Sequence, residues 1–99
     1  CTLVELSART MMAAILKHDV SEVIVCGGGV HNAFLMSRLM SLLAPMPVVT
    51  SAEYGLDPDW VEACAFAWLA HARMEGMIGN IPAVTGAAKE SVLGALYAP

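Results

Sequence analysis

Charged side chains are scarce in this sequence. Aspartate, glutamate, lysine and arginine make up 14% of its 99 residues, and 58% are hydrophobic, whereas an ordinary soluble domain carries about 25% charged residues. So much apolar surface excludes a disordered segment. Because a domain of this size also leaves much of its surface exposed, we expect residues 1–99 to form a single incomplete domain whose apolar faces pack on further chain.

Basic residues and long apolar runs are also few. The chain has five basic and nine acidic residues, a net charge of −4, and its basic residues form no stripe. Such a chain is poorly suited to neutralising a nucleic acid backbone. The longest apolar run, residues 63–70, has eight members, whereas a membrane span needs roughly 20. We therefore expect neither nucleic acid nor a membrane as a partner.

The three cysteines are an odd number at wide spacing. They form no C-x-x-C motif and no zinc-ligand pattern with the three histidines, so no metal site and no disulfide is predicted. Cys26 follows a strand-like run and Cys64 lies in an alanine-rich helix. Both are interpreted as small core residues in a reducing compartment.

The first half of the chain has the pattern of a β-α-β unit. Residues 2–17 and 32–43 predict helices, the second capped by Asn32. Val-Ile-Val at 23–25 is typical of a strand buried on both faces, and residues 47–50 predict a second strand. This order predicts two parallel strands joined by a right-handed crossover. The apolar stripe of the first helix comprises Val4, Ala8, Met11 and Ile15.

The second half predicts a third helix from Asp57 to about Met74, followed by irregular chain. Asp57 is a candidate N-cap with Pro58 at the first helical position. Alternatively, Asp59 and Glu62 form a capping box. The helix is apolar nearly all round, which is typical of a buried helix. Residues 91–97 predict a short final strand.

Three consecutive glycines, Gly27, Gly28 and Gly29, come directly after the first predicted strand and Cys26. Glycine permits positive φ and lets a ligand approach bare backbone, and the helix that begins at Asn32 offers amide groups suited to phosphate. One glycine would suffice for a simple turn. Three at the carboxyl end of a buried parallel strand favour a nucleotide or phosphate contact over a turn that binds nothing.

The residues after the glycines restrict which nucleotide-binding motif the segment could belong to. A P-loop requires a lysine that is absent here. The dinucleotide fingerprint G-x-G-x-x-G would align Gly27, Gly29 and then Asn32 in place of its third glycine, with Glu53 as the acidic ribose ligand. The alternative to an enzyme is therefore a small, non-catalytic α/β module that binds a nucleotide or dinucleotide, or that dimerises.

Three carboxylates crowd the start of the third helix. Capping and the helix dipole account for Asp57 and Asp59. Glu62 is less well explained, because it stands among apolar residues, and a capping role and a role as acceptor for a substrate hydroxyl remain equally open. His31 flanks the glycines and is either a turn residue or a phosphate contact.

Five blocks of the sequence are more specific than these patterns. They are Val-Ile-Val-Cys-Gly-Gly-Gly-Val-His-Asn at 23–32, Gly-Leu-Asp-Pro-Asp-Trp-Val-Glu-Ala at 55–63, Ala-Phe-Ala-Trp-Leu-Ala at 65–70, Gly-Asn-Ile-Pro-Ala-Val-Thr-Gly-Ala at 79–87 and Val-Leu-Gly-Ala-Leu-Tyr at 92–97. Together they resemble the carboxyl-terminal end of the anhydro-N-acetylmuramic acid kinase family. The block at 55–63 is quite specific, whereas the three glycines alone are not.

The resemblance implies an α/β fragment of a ribonuclease-H-like ATPase lobe, a βαβ unit packed by helices. It implies a cytoplasmic kinase of peptidoglycan recycling, dependent on ATP and Mg²⁺, that opens the 1,6-anhydro ring of the sugar with water and phosphorylates the 6-oxygen. The implied partners are the sugar, the remainder of the kinase chain and a second copy in a homodimer.

The resemblance also implies roles for individual residues. It places Gly27, Gly28, Gly29 and Asn32 beside the nucleotide and suggests that Glu62 faces the sugar. The family's phosphate loop and catalytic aspartate belong to its amino-terminal part, so no catalytic residue is assigned here, and these 99 residues alone are expected to be inactive.

Overall fold

A computed structural model describes residues 2–97 and divides the chain into two compact units, Cys1–Val61 and Glu62–Pro99. Among the described residues, the first unit holds two α-helices and two strands, and the second holds almost all of a long α-helix and one short α-helix. They are α1 (Thr2–Ile15), β1 (Val23–Val25), α2 (Ala33–Leu43), β2 (Val48–Thr50), α3 (Val61–Met74) and α4 (Pro82–Thr85). None of the helices in residues 2–97 has the length and apolar character needed to cross a bilayer.

The two strands form a parallel pair. Val23 lies opposite Val48 and Val25 lies opposite Thr50, and α2 runs between the strands in sequence, which confirms the predicted βαβ unit. Because the strands are parallel and in register, the segments after them leave the same edge of the sheet. That edge carries the candidate site.

The core of the first unit lies between α1, α2 and the sheet. The first helix contributes Ala8, with Met12 and Ile15 packed beside it. Met11, expected in this stripe, is instead exposed, because the buried face of α1 follows the spacing i, i+4, i+7 from Ala8. The buried residues of the cluster are Ala8, Met36, Leu39, Leu43 and Val48.

Only one face of the sheet is covered within the described part of this chain. Val23 and Val25 pack against the core, whereas Ile24 is 50% exposed. Alternate residues of a strand point to opposite faces, so α1 and α2 cover one face and the Ile24 face is open. The expectation of a strand buried on both faces is therefore wrong for the described chain.

An ionic network ties α1 to α2. Glu5 accepts a hydrogen bond of 2.7 Å from Nε of Arg9, one turn away as predicted, and another of 2.7 Å from Nε of Arg38 on α2. The bond from Arg38 is the main reason that the pKa of Glu5 falls from 4.5 to about 2. The link from Glu5 to Arg38 was not predicted, since it depends on how the two helices pack.

The third helix is not buried among the described residues. Ala72 is its single buried residue, and large apolar side chains such as Phe66 and Trp68 are exposed. The cysteines differ from expectation in the same way, because Cys26 and Cys64 are both exposed free thiols; Cys1 lies outside the described residues. The apolar residues are present as predicted, but little of the described chain covers them.

The block at 79–87 has a structural explanation. The Asn80 side chain accepts a hydrogen bond from the Ser91 amide at 2.7 Å and donates one to the Lys89 carbonyl at 3.0 Å. Pro82 then begins α4, and Gly86 ends it in a left-handed conformation at φ 72°. The strand predicted at 91–97 does not form in the structure. Ser91 accepts a hydrogen bond from the Gly79 amide, and residues 91–97 pair with no strand of the described chain.

Candidate functional site

The glycine segment, residues 27–31, emerges at the carboxyl edge of the sheet. Gly27 has φ 75° and ψ 178°, a conformation that is essentially restricted to glycine. The chain then forms a 3₁₀ helix over Gly28–His31 before α2 begins. The amides of Val30 and Asn32 bond back to the carbonyls of Gly27 and Gly29 at 3.2 and 3.1 Å. Positive φ is therefore required at the first of the three glycines.

The other two glycines are not explained by backbone conformation or crowding. A Cβ atom built on Gly28 would meet no atom within 4 Å, and one on Gly29 would meet only Leu35, at 3.9 Å. Gly28 and Gly29 are both exposed. Among residues 2–97 their amides have no backbone acceptor, as expected for the first residues of a helix. The described chain therefore leaves open space beside bare backbone at these two positions.

Asn32 is the N-cap of α2, as predicted. Its Oδ1 accepts a hydrogen bond of 3.1 Å from the Leu35 amide, and its carboxamide nitrogen donates no hydrogen bond among the described residues. In the dinucleotide alignment Asn32 stands in place of the third glycine, and a separate 3₁₀ turn precedes α2. Glu53 lies in the 3₁₀ helix Ser51–Tyr54 that comes after β2. Nothing in this arrangement favours the dinucleotide alternative.

The Pro58 segment, residues 57–60, contacts the glycine segment. The Gly27 amide donates a hydrogen bond of 2.9 Å to the Pro58 carbonyl. Asp57 caps this segment by accepting a hydrogen bond from the Asp59 amide at 2.9 Å, and Pro58 is the first residue of a 3₁₀ helix, Pro58–Trp60, that precedes α3. The interpretation of Asp57 as an N-cap followed by proline is confirmed.

Asp59 has a different role from the predicted one. Its two carboxylate oxygens each lie 2.9 Å from Nε2 of His31, so it pairs with the glycine segment instead of capping a helix. His31 is a turn residue, the last of the 3₁₀ helix Gly28–His31. The sequence pattern does not pair these two residues, because only the packing of their segments brings them together.

Glu62 lies on the first turn of α3, in the second unit, and is exposed. Among residues 2–97 its carboxylate takes part in no hydrogen bond or ion pair, so the predicted capping box is absent. Asp57 caps instead, and Asp59 is held by His31. The capping interpretation of Glu62 is therefore wrong.

Ser51 was not singled out from the sequence. It directly follows β2 and is buried, and its hydroxyl has no hydrogen-bond partner among the described residues. Buried polar groups nearly always have a partner, so this atom marks the carboxyl edge of the sheet as a place where a ligand or further chain is expected. A serine after a strand carries no signal that would have revealed this.

The comparisons with known proteins agree on one family. The family model described as anhydro-N-acetylmuramic acid kinase matches residues 1–99. The chain belongs to the anhydro-N-acetylmuramic acid kinase family. It is similar to the protein of that name from Pseudomonas fluorescens (strain Pf0-1), with 51% identity over 98 residues, and to that from Thiobacillus denitrificans, with 50% identity over 98 residues. The protein of that name from Shewanella pealeana is 48% identical over 97 residues.

These kinases are much longer than this chain. The alignments cover 97% of this chain but 27%, 26% and 26% of the three relatives. The chain thus spans about a quarter of the length of the kinases it matches. The glycine segment and Glu62 lie inside the region that the family model matches.

Proposed function

We propose that this chain is the carboxyl-terminal part of an ATP-dependent kinase that acts on 1,6-anhydro-N-acetylmuramic acid in the cytoplasm. In the proposed reaction, water attacks C1 of the sugar and the bond between C1 and O6 breaks. O6 takes the γ-phosphoryl group of ATP. One proton of the water stays on the new C1 hydroxyl and the other is released, so the products are ADP and the sugar 6-phosphate with its anhydro bridge opened. Family membership supports this proposal, because the matched relatives bear the name of that kinase.

The proposed nucleotide site is the glycine segment with Asn32. The observation that carries it is the open backbone at Gly28 and Gly29, next to a glycine held at φ 75° at the carboxyl edge of a parallel sheet. Ligands of open α/β sheets bind at such edges. Amides without a backbone acceptor there suit the negative charge of a nucleotide phosphate.

Glu62 is proposed to accept a hydrogen bond from a sugar hydroxyl. The proposal rests on the resemblance of the block at 55–63 and on a carboxylate that forms no hydrogen bond among the described residues. An ionised carboxylate is a strong acceptor for a hydroxyl group. Its position on a buried apolar helix, which favoured this role on sequence grounds, no longer supports it, since α3 is exposed here.

No residue of this chain is proposed to hold Mg²⁺ or to act as the catalytic base. Residues 2–97 contain no cluster of three or more metal-ligating side chains, and Mg²⁺ in kinases is bound largely by phosphates, water and one or two carboxylates. When bound, the ion would neutralise charge on the phosphates. In this chain the glycine backbone is the part suited to orienting the nucleotide.

We propose that residues 1–99 are one incomplete domain and form part of a ribonuclease-H-like ATPase lobe of the complete kinase. The open face of the sheet and the exposed apolar residues of α3 support a large interface with the rest of the kinase chain. Exposed apolar patches of this kind usually mark protein contacts. A homodimer of the full-length protein is proposed from the resemblance.

The test is the reaction of the full-length protein that contains this segment. Purified protein is incubated with ATP, Mg²⁺ and the anhydro sugar in ¹⁸O-labelled water, and ADP and the sugar product are followed by mass spectrometry. We expect ADP to form only when the sugar is present, with one ¹⁸O atom at C1 and the new phosphate on O6. Titration with NAD serves as the control for the module alternative.

Three results would overturn the proposal. The first is ADP formation that does not depend on the sugar, and the second is no ADP at all from folded protein. The third is ¹⁸O in the phosphate instead of the sugar, because this would show ATP hydrolysis without transfer. Tight binding of NAD in the absence of kinase activity would favour the dinucleotide-binding module.

A further inference from the structure

Hydrogen bonds connect both ends of the glycine segment to the Pro58 segment. At the start, the Gly27 amide donates to the Pro58 carbonyl at 2.9 Å. At the end, Nε2 of His31 lies 2.9 Å from both oxygens of Asp59. All of these residues belong to the first unit. Gly28 and Gly29 lie between the two points of attachment.

The His31–Asp59 pair is poorly placed to stabilise the fold. The two side chains are 67% and 52% exposed, and ion pairs with that much contact with water contribute little to folding stability. The capping of the Pro58 segment does not need the Asp59 side chain either, because Asp57 performs it. The pair instead fixes the position of His31, and with it the end of the glycine segment.

We infer that His31 is a positioning residue for the nucleotide, held by Asp59. The inference rests on the proposed function, since it assigns His31 a part in the proposed nucleotide site. A loop already fixed in its binding conformation loses less entropy when a ligand arrives. Because both ends of the segment are held by hydrogen bonds, the backbone of Gly28 and Gly29 is held in one conformation for the nucleotide.

His31 also occupies the Asp59 carboxylate, which carries a negative charge beside the glycine segment. In the neutral imidazole the proton must lie on Nε2 to donate to Asp59, and this hydrogen bond engages the carboxylate. Without His31, the Asp59 carboxylate would be bare near a bound phosphate, and two negative groups repel each other. We therefore expect that the loss of nucleotide affinity caused by removing His31 is partly restored when the charge on Asp59 is removed as well.

The experiment tests this partial recovery of nucleotide affinity. In the full-length protein, His31→Ala, Asp59→Asn and the double variant are compared by steady-state kinetics with ATP and the anhydro sugar. We expect His31→Ala to raise the KM for ATP by roughly two- to fivefold, with little change in kcat or in the KM for the sugar. The double variant should have a lower KM for ATP than His31→Ala alone.

Two further variants separate positioning from general damage. His31→Gln keeps an N–H donor at a similar reach, so its KM for ATP should stay close to the wild-type value. His18→Ala is the matched control, because His18 is an exposed histidine of the same unit, outside the glycine segment. Melting temperatures of all variants should lie close to that of the wild type.

The inference is overturned if wild-type protein uses ATP and His31→Ala leaves the KM for ATP unchanged. It is also overturned if the effects of His31→Ala and Asp59→Asn simply add, since the carboxylate then has no influence through His31. A wild-type protein that makes no ADP in the presence of the sugar contradicts the proposed function instead. The two failures are thus distinguished by the wild-type assay.

Discussion

The amide of Gly27 donates a 2.9 Å hydrogen bond to the carbonyl of Pro58. Together with the His31–Asp59 pair, this bond joins two of the sequence blocks that carry the family resemblance, residues 23–32 and 55–63. It forms at Gly27, which has φ 75° and lies two residues beyond the end of β1. The two blocks are therefore parts of one local structure.

Gly27→Ala should destabilise the full-length protein, whereas Gly28→Ala should not. Alanine at φ 75° and ψ 178° incurs a backbone strain of about 1–3 kcal/mol. Gly28 has no positive φ, and a Cβ atom at this position would meet no atom within 4 Å. Thermal unfolding of both variants gives the comparison, and equal melting temperatures would contradict the conformation described for Gly27.

Gly28→Val should weaken nucleotide binding with little effect on sugar affinity. The described chain leaves room for a side chain at this position, so a loss of affinity would come from the ligand that the side chain displaces. A drop of roughly tenfold or more in ADP affinity corresponds to a lost contact of about 1.4 kcal/mol. Calorimetric titrations with nucleotide and with sugar, made separately, provide the measurement. Unchanged nucleotide affinity would remove Gly28 from the site.

Glu62→Gln tests the proposed sugar contact. A charge-assisted hydrogen bond is worth about 1.5–3 kcal/mol, so kcat/KM for the anhydro sugar should fall by roughly ten- to a hundredfold. ATP affinity and melting temperature should barely change, because Glu62 is exposed and caps nothing in residues 2–97. Glu75→Gln makes the same chemical change at another exposed position of the second unit. Wild-type kinetics for Glu62→Gln would show that the sugar does not bind this carboxylate.

Glu5 should contribute stability that depends on pH. Its pKa is about 2 in the folded chain against an ordinary 4.5, chiefly because of the hydrogen bond from Arg38. A lowered pKa means that the folded state favours the ionised form. The contribution is therefore complete above pH 4.5 and is lost as the pH falls from about 4.5 towards 2.

Glu5→Gln allows this contribution to be measured. Chemical unfolding of wild type and variant at a series of pH values from neutral down towards the pKa of about 2 should show a stability gap at neutral pH that narrows below pH 4.5. Asp19→Asn, at an exposed position beyond α1, should show no such gap. A gap that is constant over the whole range would contradict a role for the charge on Glu5.

The isolated 99-residue chain should associate with itself. Its third helix exposes Phe66 and Trp68, and the sheet exposes Ile24, and apolar surfaces of this kind drive association in water. Sedimentation velocity should detect oligomers at micromolar concentrations, fewer when Phe66 and Trp68 are replaced by serine. A monomer that unfolds cooperatively would show that these surfaces need no partner.

The local structure of this protein was largely predictable from its sequence. The parallel βαβ unit follows from the order of strand, helix and strand along the chain. The Asn32 cap, the Asp57-Pro58 start and the bond between Glu5 and Arg9 depend on residues close in sequence. Such features follow from backbone propensity and short-range hydrogen bonding, which act on neighbouring residues. The glycine segment was found for the same reason, because its signal is a run of three adjacent residues.

Burial and long-range pairing were decided by the tertiary structure. The sequence shows that β1 and α3 are apolar, but hydrophobicity states only that a face favours burial, and Ile24 and Phe66 are exposed in the described chain. The bonds from His31 to Asp59 and from Arg38 to Glu5 join residues 28 and 33 positions apart. No local rule specifies such pairs, because their distance depends on how whole segments pack.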